Sequence, residues 1–227
     1  MDHLRKKIHK LRCKLLEMSN LVESSIDMSI SAAIHQNTDA IEIVFDNETV
    51  INQMEQVIDE IALELFALQQ PKAEDLRFIM MAVKINTSLE RMGDIALNIA
   101  LYARALYETP KTAPRVDVPH MAKLAQDMIR NSLDSFARRD AELARKVLMS
   151  DDEVDAMCDR LYAEIRKNMA EDASRVNAGI EYLFIARGLE RLADHATNIA
   201  EDVLFFLQGI DVRHNSEITA GESPDST

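Results

Sequence analysis

Several residue types that define other protein classes are scarce in this chain of 227 residues. Tryptophan is missing, aromatic residues make up 5% of the sequence, and there are five glycines and five prolines. The two cysteines, Cys13 and Cys158, form neither a CxxC pair nor a disulfide framework, which favours a reducing compartment. A glycine-rich phosphate loop is lacking, and no serine or cysteine nucleophile pairs visibly with a histidine. The sequence therefore gives little support to catalysis.

Positive charge and long apolar runs are also in short supply. Lysine and arginine total 26 against 39 aspartates and glutamates, and the net charge of -13 disfavours direct binding to nucleic acid. No segment reaches the roughly 18 consecutive apolar residues of a membrane span, and the N-terminus lacks the apolar core of a signal peptide. We therefore expect a soluble, cytoplasmic protein.

Residues that favour helices fill the segments between the few prolines and glycines. Ala, Leu, Glu, Arg and Met are frequent there, whereas the β-branched and aromatic alternation of strands is missing. Breaks in the apolar periodicity then separate six helices. The sequence predicts an all-α fold of two tandem three-helix bundles, related by an internal repeat. The predicted helices lie near residues 3–36, 39–69, 74–107, 119–137, 140–169 and 174–208.

Prolines divide the chain into two halves of similar length. Three closely spaced prolines predict a linker at residues 110–118. The linker separates a first repeat at residues 1–109 from a second repeat at residues 119–210. The polar residues 211–227 are predicted to form a disordered tail.

One segment of the first half returns in the second half. Residues 90–100 read ERMGDIALNIA and residues 190–200 read ERLADHATNIA, so seven of eleven positions are identical. A repeat at a spacing of 100 residues indicates two copies of one structural unit. In each copy a glutamate, an aspartate and an asparagine recur every four residues and therefore share one face of a helix. These residues are Glu90, Asp94 and Asn98 in the first copy and Glu190, Asp194 and Asn198 in the second.

The preceding helix of the second half carries two further acidic residues, Asp151 and Asp155. In an antiparallel hairpin, two residues lie level when they are equally far from the centre of the turn. Asp155 with Glu190, and Asp151 with Asp194, share a midpoint inside the predicted turn at residues 171–174. We therefore expect the four carboxylates to lie at the same height along the hairpin.

The same rule selects partners in the first half. Asn52 with Glu90, and Glu48 with Asp94, share a midpoint at Pro71, in the predicted turn. Because Asn52 is an amide, this set is one carboxylate short. We therefore expect the second half to hold the stronger of the two acidic sites.

Facing carboxylates need a compensating positive charge. Two like unit charges about 4 Å apart cost roughly 4 kcal/mol near a protein surface. Hard divalent or trivalent cations take carboxylate oxygens as ligands, and four-residue spacing on facing helices is how helical bundles build polynuclear sites. The sequence therefore predicts a metal site in each half. The predicted ligands are Glu48, Glu90, Asp94, Asp151, Asp155, Glu190 and Asp194.

Two other interpretations stay open. The acids could instead pair with Arg91, Arg187 and Arg191 in a metal-free structural bundle. A carboxylate-bridged metalloenzyme is the second alternative, but such enzymes usually carry Glu-x-x-His, and this chain has no such motif.

The two copies also differ from one another. His195 stands where the first copy has Ile95, and Glu201 stands where it has Leu101, so equivalent sites are not expected. His195 directly follows Asp194, and neighbouring residues on a helix point about 100° apart. We therefore predict a structural or solvent-facing role for His195.

The repeated segments resemble the E(D)xxxD signature of the PhoU family, the bacterial regulators of phosphate uptake. The resemblance extends to residues 16–23 (LEMSNLVE) and 151–155 (DDEVD), and to the length and the two-fold repeat. It covers roughly residues 5–210. The acidic motif of that family binds multinuclear metal clusters, which implicates Glu90, Asp94, Glu190 and Asp194, with Asp151 and Asp155 opposite.

The resemblance also implies a function. Proteins of this family are non-enzymatic adaptors that repress the phosphate-starvation (Pho) response when phosphate is plentiful. They link the ATPase subunit of the phosphate ABC transporter to a sensor histidine kinase, so this chain is expected to reach a membrane complex only through its partners. The expected metal is Fe, Zn, Mn or Mg, and a homodimer is expected for such elongated bundles.

Overall fold

The computed structural model describes residues 2–68, 72–108 and 116–209, and within them every regular element is helical. This confirms the predicted all-α class, and the helix ends differ from the predicted ones by at most two residues. The centre of the turn before α3, most of the predicted linker and the predicted tail lie outside the described residues. The helices are α1 (Asp2–His35), α2 (Thr38–Leu68), α3 (Ala73–Glu108), α4 (Val118–Arg138), α5 (Ala141–Glu171) and α6 (Val176–Gln208), with a short 3-10 helix (Ala173–Arg175) before α6.

Aspartates fix the start of each helical segment in the second half. The side chain of Asp117 accepts a hydrogen bond from the backbone N–H of His120 at 3.3 Å, and Pro119 occupies the first turn of α4. Asp140 begins α5 in the same way, accepting two backbone N–H groups at 3.0 Å each. Asp172 caps the 3-10 helix that leads into α6. The predicted breaks are therefore helix caps.

The helices pack as two bundles, in which α1, α2 and α3 contact one another and α4, α5 and α6 contact one another. Apolar residues three and four apart along each helix face the core. On α1 they are Leu11, Leu15, Met18, Val22 and Ile26, all buried.

The two bundles are joined mainly by α3 and α6, the helices that carry the repeated segments. Lys84 Nζ lies 2.7 Å from Asp202 Oδ1, and the ring of Tyr102 stacks on the ring of Phe184 with centroids 4.9 Å apart. The start of α3 therefore lies beside the end of α6, and the two helices run antiparallel. Because each repeat contributes the same helix, this contact, here called the seam, has approximate two-fold symmetry.

A glycine allows the close approach of the helices at the seam. A Cβ atom at Gly188 would lie 2.8 Å from Cγ1 of Ile99, which is closer than carbon atoms pack. We expect Gly188→Val to lower the free energy of unfolding by about 2 kcal/mol, because the added methyl groups would push α3 away from α6. Denaturant unfolding monitored by circular dichroism measures the change.

Ser88 provides the matched control, since it occupies the equivalent position in the first repeat. Ser88→Ala should change the unfolding free energy by no more than about 0.5 kcal/mol. Equal denaturant midpoints of unfolding for Gly188→Val and the unchanged protein would show that the seam is not tightly packed at this point.

Candidate metal centre

Four carboxylates meet between α5 and α6 in the second half. Burial, together with the charges of Asp155, Asp194 and Glu190, raises the pKa of Asp151 from 3.8 to about 6. Burial and the charge of Asp194 likewise raise the pKa of Asp155 and of Glu190. Mutual repulsion across the two helices shows that the structure brings together all four acids that the hairpin rule selects in this half. Asp152, next to Asp151, adds to the same negative field.

Two oxygen atoms of this acidic group are shielded from solvent and lack a partner. Within the described chain, Asp151 Oδ1 and Glu190 Oε2 accept no hydrogen bond. A buried carboxylate oxygen without a donor or cation is costly, so such atoms are uncommon unless they serve a ligand. These two oxygens are therefore the first candidates for binding a cation.

Two arginines lie near these acids but form no close ion pair with them in the described part of the chain. Arg187 and Arg191 both lower the pKa of Asp194, although burial has the larger, opposite effect. Within residues 116–209 and the other described ranges, neither guanidinium forms an ion pair with a carboxylate within 4.0 Å. Arg187 instead interacts with the hydroxyl of Tyr162, whose pKa burial raises to about 12. Among the residues that the structure describes, ion pairs therefore do not span the second acidic site.

The first half is arranged differently. Burial raises the pKa of Glu90, and the neighbouring Asp94 raises it further. Arg91 opposes both effects, because its Nε lies 3.4 Å from Glu90 Oε2 and its Nη1 lies 3.7 Å from Asp94 Oδ2. The ion-pair interpretation therefore describes part of this site.

The predicted partners on α2 are correct only in part. Glu48 reaches Glu90 electrostatically, but it is the weakest of the influences on Glu90, and Asn52 donates a hydrogen bond to Glu48. The carboxylate that couples most strongly from α2 is Glu55, whose own pKa is raised by burial and by Asp59. The first site is therefore not short of carboxylates, contrary to the prediction.

An error of register explains the missed residues. Asn86 on α3 donates hydrogen bonds to Asp59 Oδ1 at 3.0 Å and to the Glu55 carbonyl at 3.1 Å. These bonds show that α2 is shifted along α3 by almost one helical turn relative to the predicted pairing. Glu55 thereby takes the place of Asp155, as the constant spacing of 100 residues would have indicated. The place of Asp151 is taken by Ile51, which packs against Gly93.

The acids do not form a finished coordination sphere. Across residues 2–68, 72–108 and 116–209, no three His, Cys, Asp or Glu side chains converge closely enough to hold a metal ion as they stand. Ionised carboxylates repel one another, so closer approach requires a compensating cation. Ligation would require rotation of the side chains.

Two residues that distinguish the second copy of the repeated segment, His195 and Glu201, lie at the seam rather than at an acidic site. His195 and Glu201 line a cavity of about 330 Å³ between α3 and α6, together with Lys84 and Asp202. Burial and the nearby Arg191 lower the pKa of His195, and its Nδ1 has no hydrogen-bond partner in the described part of the chain. Neither residue extends the α5–α6 acidic site.

None of the described helices has a stretch both long and apolar enough to cross a lipid bilayer. A continuous cluster of buried apolar residues fills the interior of the two bundles.

Comparison with known proteins gives a consistent result. The PhoU domain model matches twice, at residues 15–103 and 118–203. A phosphate-specific transport system accessory protein PhoU homolog from Zymomonas mobilis is 36% identical over 88% of this chain and 84% of its own length. The crystal structure of PhoU from Pseudomonas aeruginosa superposes with a TM-score of 0.88 at 35% identity, covering 91% of this chain and 99% of that one. The crystal structure of the phosphate transport system regulatory protein PhoU from Streptococcus pneumoniae superposes with a TM-score of 0.83 at 26% identity. This superposition covers 92% of this chain and 99% of that one. The chain therefore belongs to the PhoU family.

Proposed function

We propose that this protein is a non-enzymatic, metal-binding accessory protein of phosphate-specific transport and a negative regulator of the phosphate-starvation response. It acts as an adaptor that contacts the transporter ATPase on one side and a sensor histidine kinase on the other. The observation that carries the proposal is the group of four coupled carboxylates between α5 and α6, on a chain whose relatives are named as accessory proteins of phosphate transport.

The donor atoms suit a hard cation. Asp151, Asp155, Glu190 and Asp194 offer carboxylate oxygens only, which favours Mn²⁺, Mg²⁺ or Fe³⁺ over Zn²⁺, because Zn²⁺ prefers nitrogen and sulfur ligands. The two shielded oxygens on Asp151 and Glu190 support this assignment. A bound cation would neutralise the mutual repulsion and tie α5 to α6.

In the first half the same role falls to Glu90 and Asp94, with Glu55 from α2 and a weaker contribution from Glu48. Arg91 already neutralises part of this charge. A metal must therefore compete with the guanidinium, and we propose that this site binds metal more weakly than the α5–α6 site.

The adaptor role requires protein contact rather than turnover. Cations bound by the acidic groups stabilise a rigid scaffold whose outer helical faces meet the partners, and no residue is assigned a proton transfer or a nucleophilic step. A carboxylate-bridged oxidase is the rival proposal, and oxygen consumption by the metal-loaded protein would support that rival.

Deletion of the gene tests the regulatory role. We expect alkaline phosphatase, a product of the starvation response, to become constitutive in phosphate-rich medium, because the inhibitory signal is lost. A plasmid copy of the unchanged gene should restore repression, whereas a copy with both Asp151→Asn and Glu190→Gln should not. Enzyme activity in washed cells is the measurement.

Glu181→Gln serves as the matched control, since Glu181 lies on the same helix but couples to none of the acidic group. This copy should repress as well as the unchanged gene. Alkaline phosphatase that stays repressed after the deletion would contradict the regulatory role, and full repression by the double variant would separate that role from the acidic site.

A further inference from the structure

The seam contains a second cavity, which is distinct from the acidic site. It measures about 240 Å³ and lies between the C-terminal part of α3 and the middle of α6. Asn98 and Tyr102 line it from α3, and Arg187 and Arg191 line it from α6. None of its lining residues is acidic, in a chain whose net charge is -13.

The approximate two-fold symmetry of the seam supplies an internal comparison. The equivalent cavity at the other end of the seam contains Lys84, but Asp202 already neutralises that ammonium at 2.7 Å, and Glu201 adds a further negative charge. Positions that carry Arg187 and Gly188 in one cavity carry Thr87 and Ser88 in the other. Of these two cavities, only the one lined by Arg187 and Arg191 therefore has more basic than acidic lining residues.

The two copies of one arginine also behave differently. Arg91 folds back onto Glu90 and Asp94 of its own helix. Its counterpart Arg191 forms no ion pair of this kind among the described residues and lines the cavity instead. Arg187 lies four residues before Arg191 and so shares its face of α6. The sequence repeats the arginine, whereas the structure gives the second copy another role.

The acids of α6 do not fill this cavity. Glu190 and Asp194 are absent from its lining and couple to Asp151 and Asp155 on α5. Burial raises the pKa of both acids of α6, whereas Arg187 and Arg191 lower it, so the two arginines act on the acidic group as well as on the cavity. Each guanidinium offers five N–H donors in a planar fork that matches the oxygens of a tetrahedral anion. The Asn98 side chain gives one amide hydrogen to the Asp94 carbonyl at 2.9 Å and has a second to donate.

We propose that the cavity between Asn98, Arg187 and Arg191 binds a tetrahedral oxyanion, inorganic phosphate. This site goes beyond the proposed adaptor role, because it gives the protein a small ligand of its own at the contact between the two repeats. The bound anion would bridge α3 and α6. Its donors belong to the chain alone, so the site does not depend on a metal.

Calorimetric titration of inorganic phosphate into chelator-treated protein tests the proposal at constant ionic strength. We expect saturable binding with one phosphate per chain. Arg191→Gln should weaken binding by at least about tenfold, since it removes a charge-assisted donor pair. Arg191→Lys should weaken binding less, because it keeps the charge but loses the planar fork.

Lys84→Gln in the equivalent cavity is the matched control and should leave phosphate affinity unchanged. Chloride at the same ionic strength should not compete, whereas sulfate should, because it shares the tetrahedral geometry. Absence of saturable heat, or equal phosphate affinity in Arg191→Gln, would overturn the proposal. Phosphoserine binding more tightly than phosphate would overturn the assignment to the free anion.

These outcomes are separate from those of the proposed function. The titration is performed on metal-free protein, so failure of metal binding or of the gene-deletion result does not alter it. Absence of saturable phosphate binding likewise does not exclude metal binding or the regulatory role. Unfolding curves of the arginine variants, measured without phosphate, confirm that each variant folds.

Discussion

Glu190→Gln should weaken Mn²⁺ binding by at least about a hundredfold. The substitution replaces a carboxylate with an amide of the same shape, and it affects an oxygen that is shielded and without a partner. An amide oxygen carries no net charge, so it contributes much less to the binding of a hard cation. Isothermal titration of tag-free, chelator-treated protein with Mn²⁺ measures the change, and elemental analysis of protein purified without chelator identifies the natural metal.

Two comparisons give this result its meaning. Glu181→Gln, on the same helix and outside the acidic group, should leave the affinity unchanged. Glu90→Gln should lower the Mn²⁺ affinity less than Glu190→Gln does, because Arg91 already forms ion pairs with Glu90 and Asp94. Unchanged metal affinity in Glu190→Gln would refute a metal site between α5 and α6 and would leave the acids as a solvated, structural feature.

Asp151→Asn should make the metal-free protein more stable at pH 7.5. The pKa of Asp151 is raised from 3.8 to about 6, chiefly by burial and then by the neighbouring carboxylates, so its ionised form is disfavoured in the folded state. The full shift corresponds to about 3 kcal/mol, which we reduce to about 1–2 kcal/mol because solvent screens this partly exposed group. The midpoint temperature of thermal unfolding should rise by about 2–4 °C for each kcal/mol of added stability in a chain of this size.

The effect has a defined pH dependence. A raised folded-state pKa adds stability that is fully present below 3.8 and is lost as the pH rises through about 6. The advantage of Asp151→Asn should therefore be largest above pH 7 and should shrink as the pH falls from about 6 to below 3.8, where the native carboxyl is neutral in both states. Glu164→Gln, on the exposed side of the same helix, should show no such trend.

Saturating Mn²⁺ should reverse the order of stability. The unchanged protein gains about 2.7 kcal/mol at a metal concentration one hundred times its dissociation constant, whereas Asp151→Asn gains less because it binds more weakly. Equal stability of the two proteins in metal-free buffer at every pH would contradict the repulsion described between α5 and α6.

Local chemistry explains why the helices could be predicted from the sequence. Helix starts at Asp117, Asp140 and Asp172 depend on side-chain caps, which act over two or three residues and are visible in the sequence. The apolar spacing of α1 likewise depends only on the 3.6-residue period. Such features need no knowledge of how the helices pack.

The acidic site could be predicted only as far as the helical register was known. In the second half the turn was assigned correctly, and the four acids lie close enough to influence one another electrostatically. In the first half an assumed centre at Pro71 displaced α2 by almost one turn, so Asn52 was chosen where Glu55 lies. An error in the assumed centre of a turn is doubled in the number of the paired residue, because the two paired residues are equally far from that centre.

The seam could not be predicted, because it depends on how α3 and α6 rotate about their own axes. Periodicity identifies a buried face, but it does not identify which other helix covers that face. The sequence therefore did not place His195 and Glu201 in the seam cavity, although the predicted structural or solvent-facing role of His195 fits its position there.

A single helix, α6, bears both the acids Glu190 and Asp194, which couple to α5, and the arginines Arg187 and Arg191, which line the cavity against α3. A twist or slide of this helix displaces both sets of side chains together, so we expect occupancy of either proposed site to bias the other. Thermodynamic linkage makes such an influence reciprocal: a cation that strengthens anion binding is strengthened by the anion to the same degree. Binding at both proposed sites would thus make the chain respond to the joint presence of a cation and an anion.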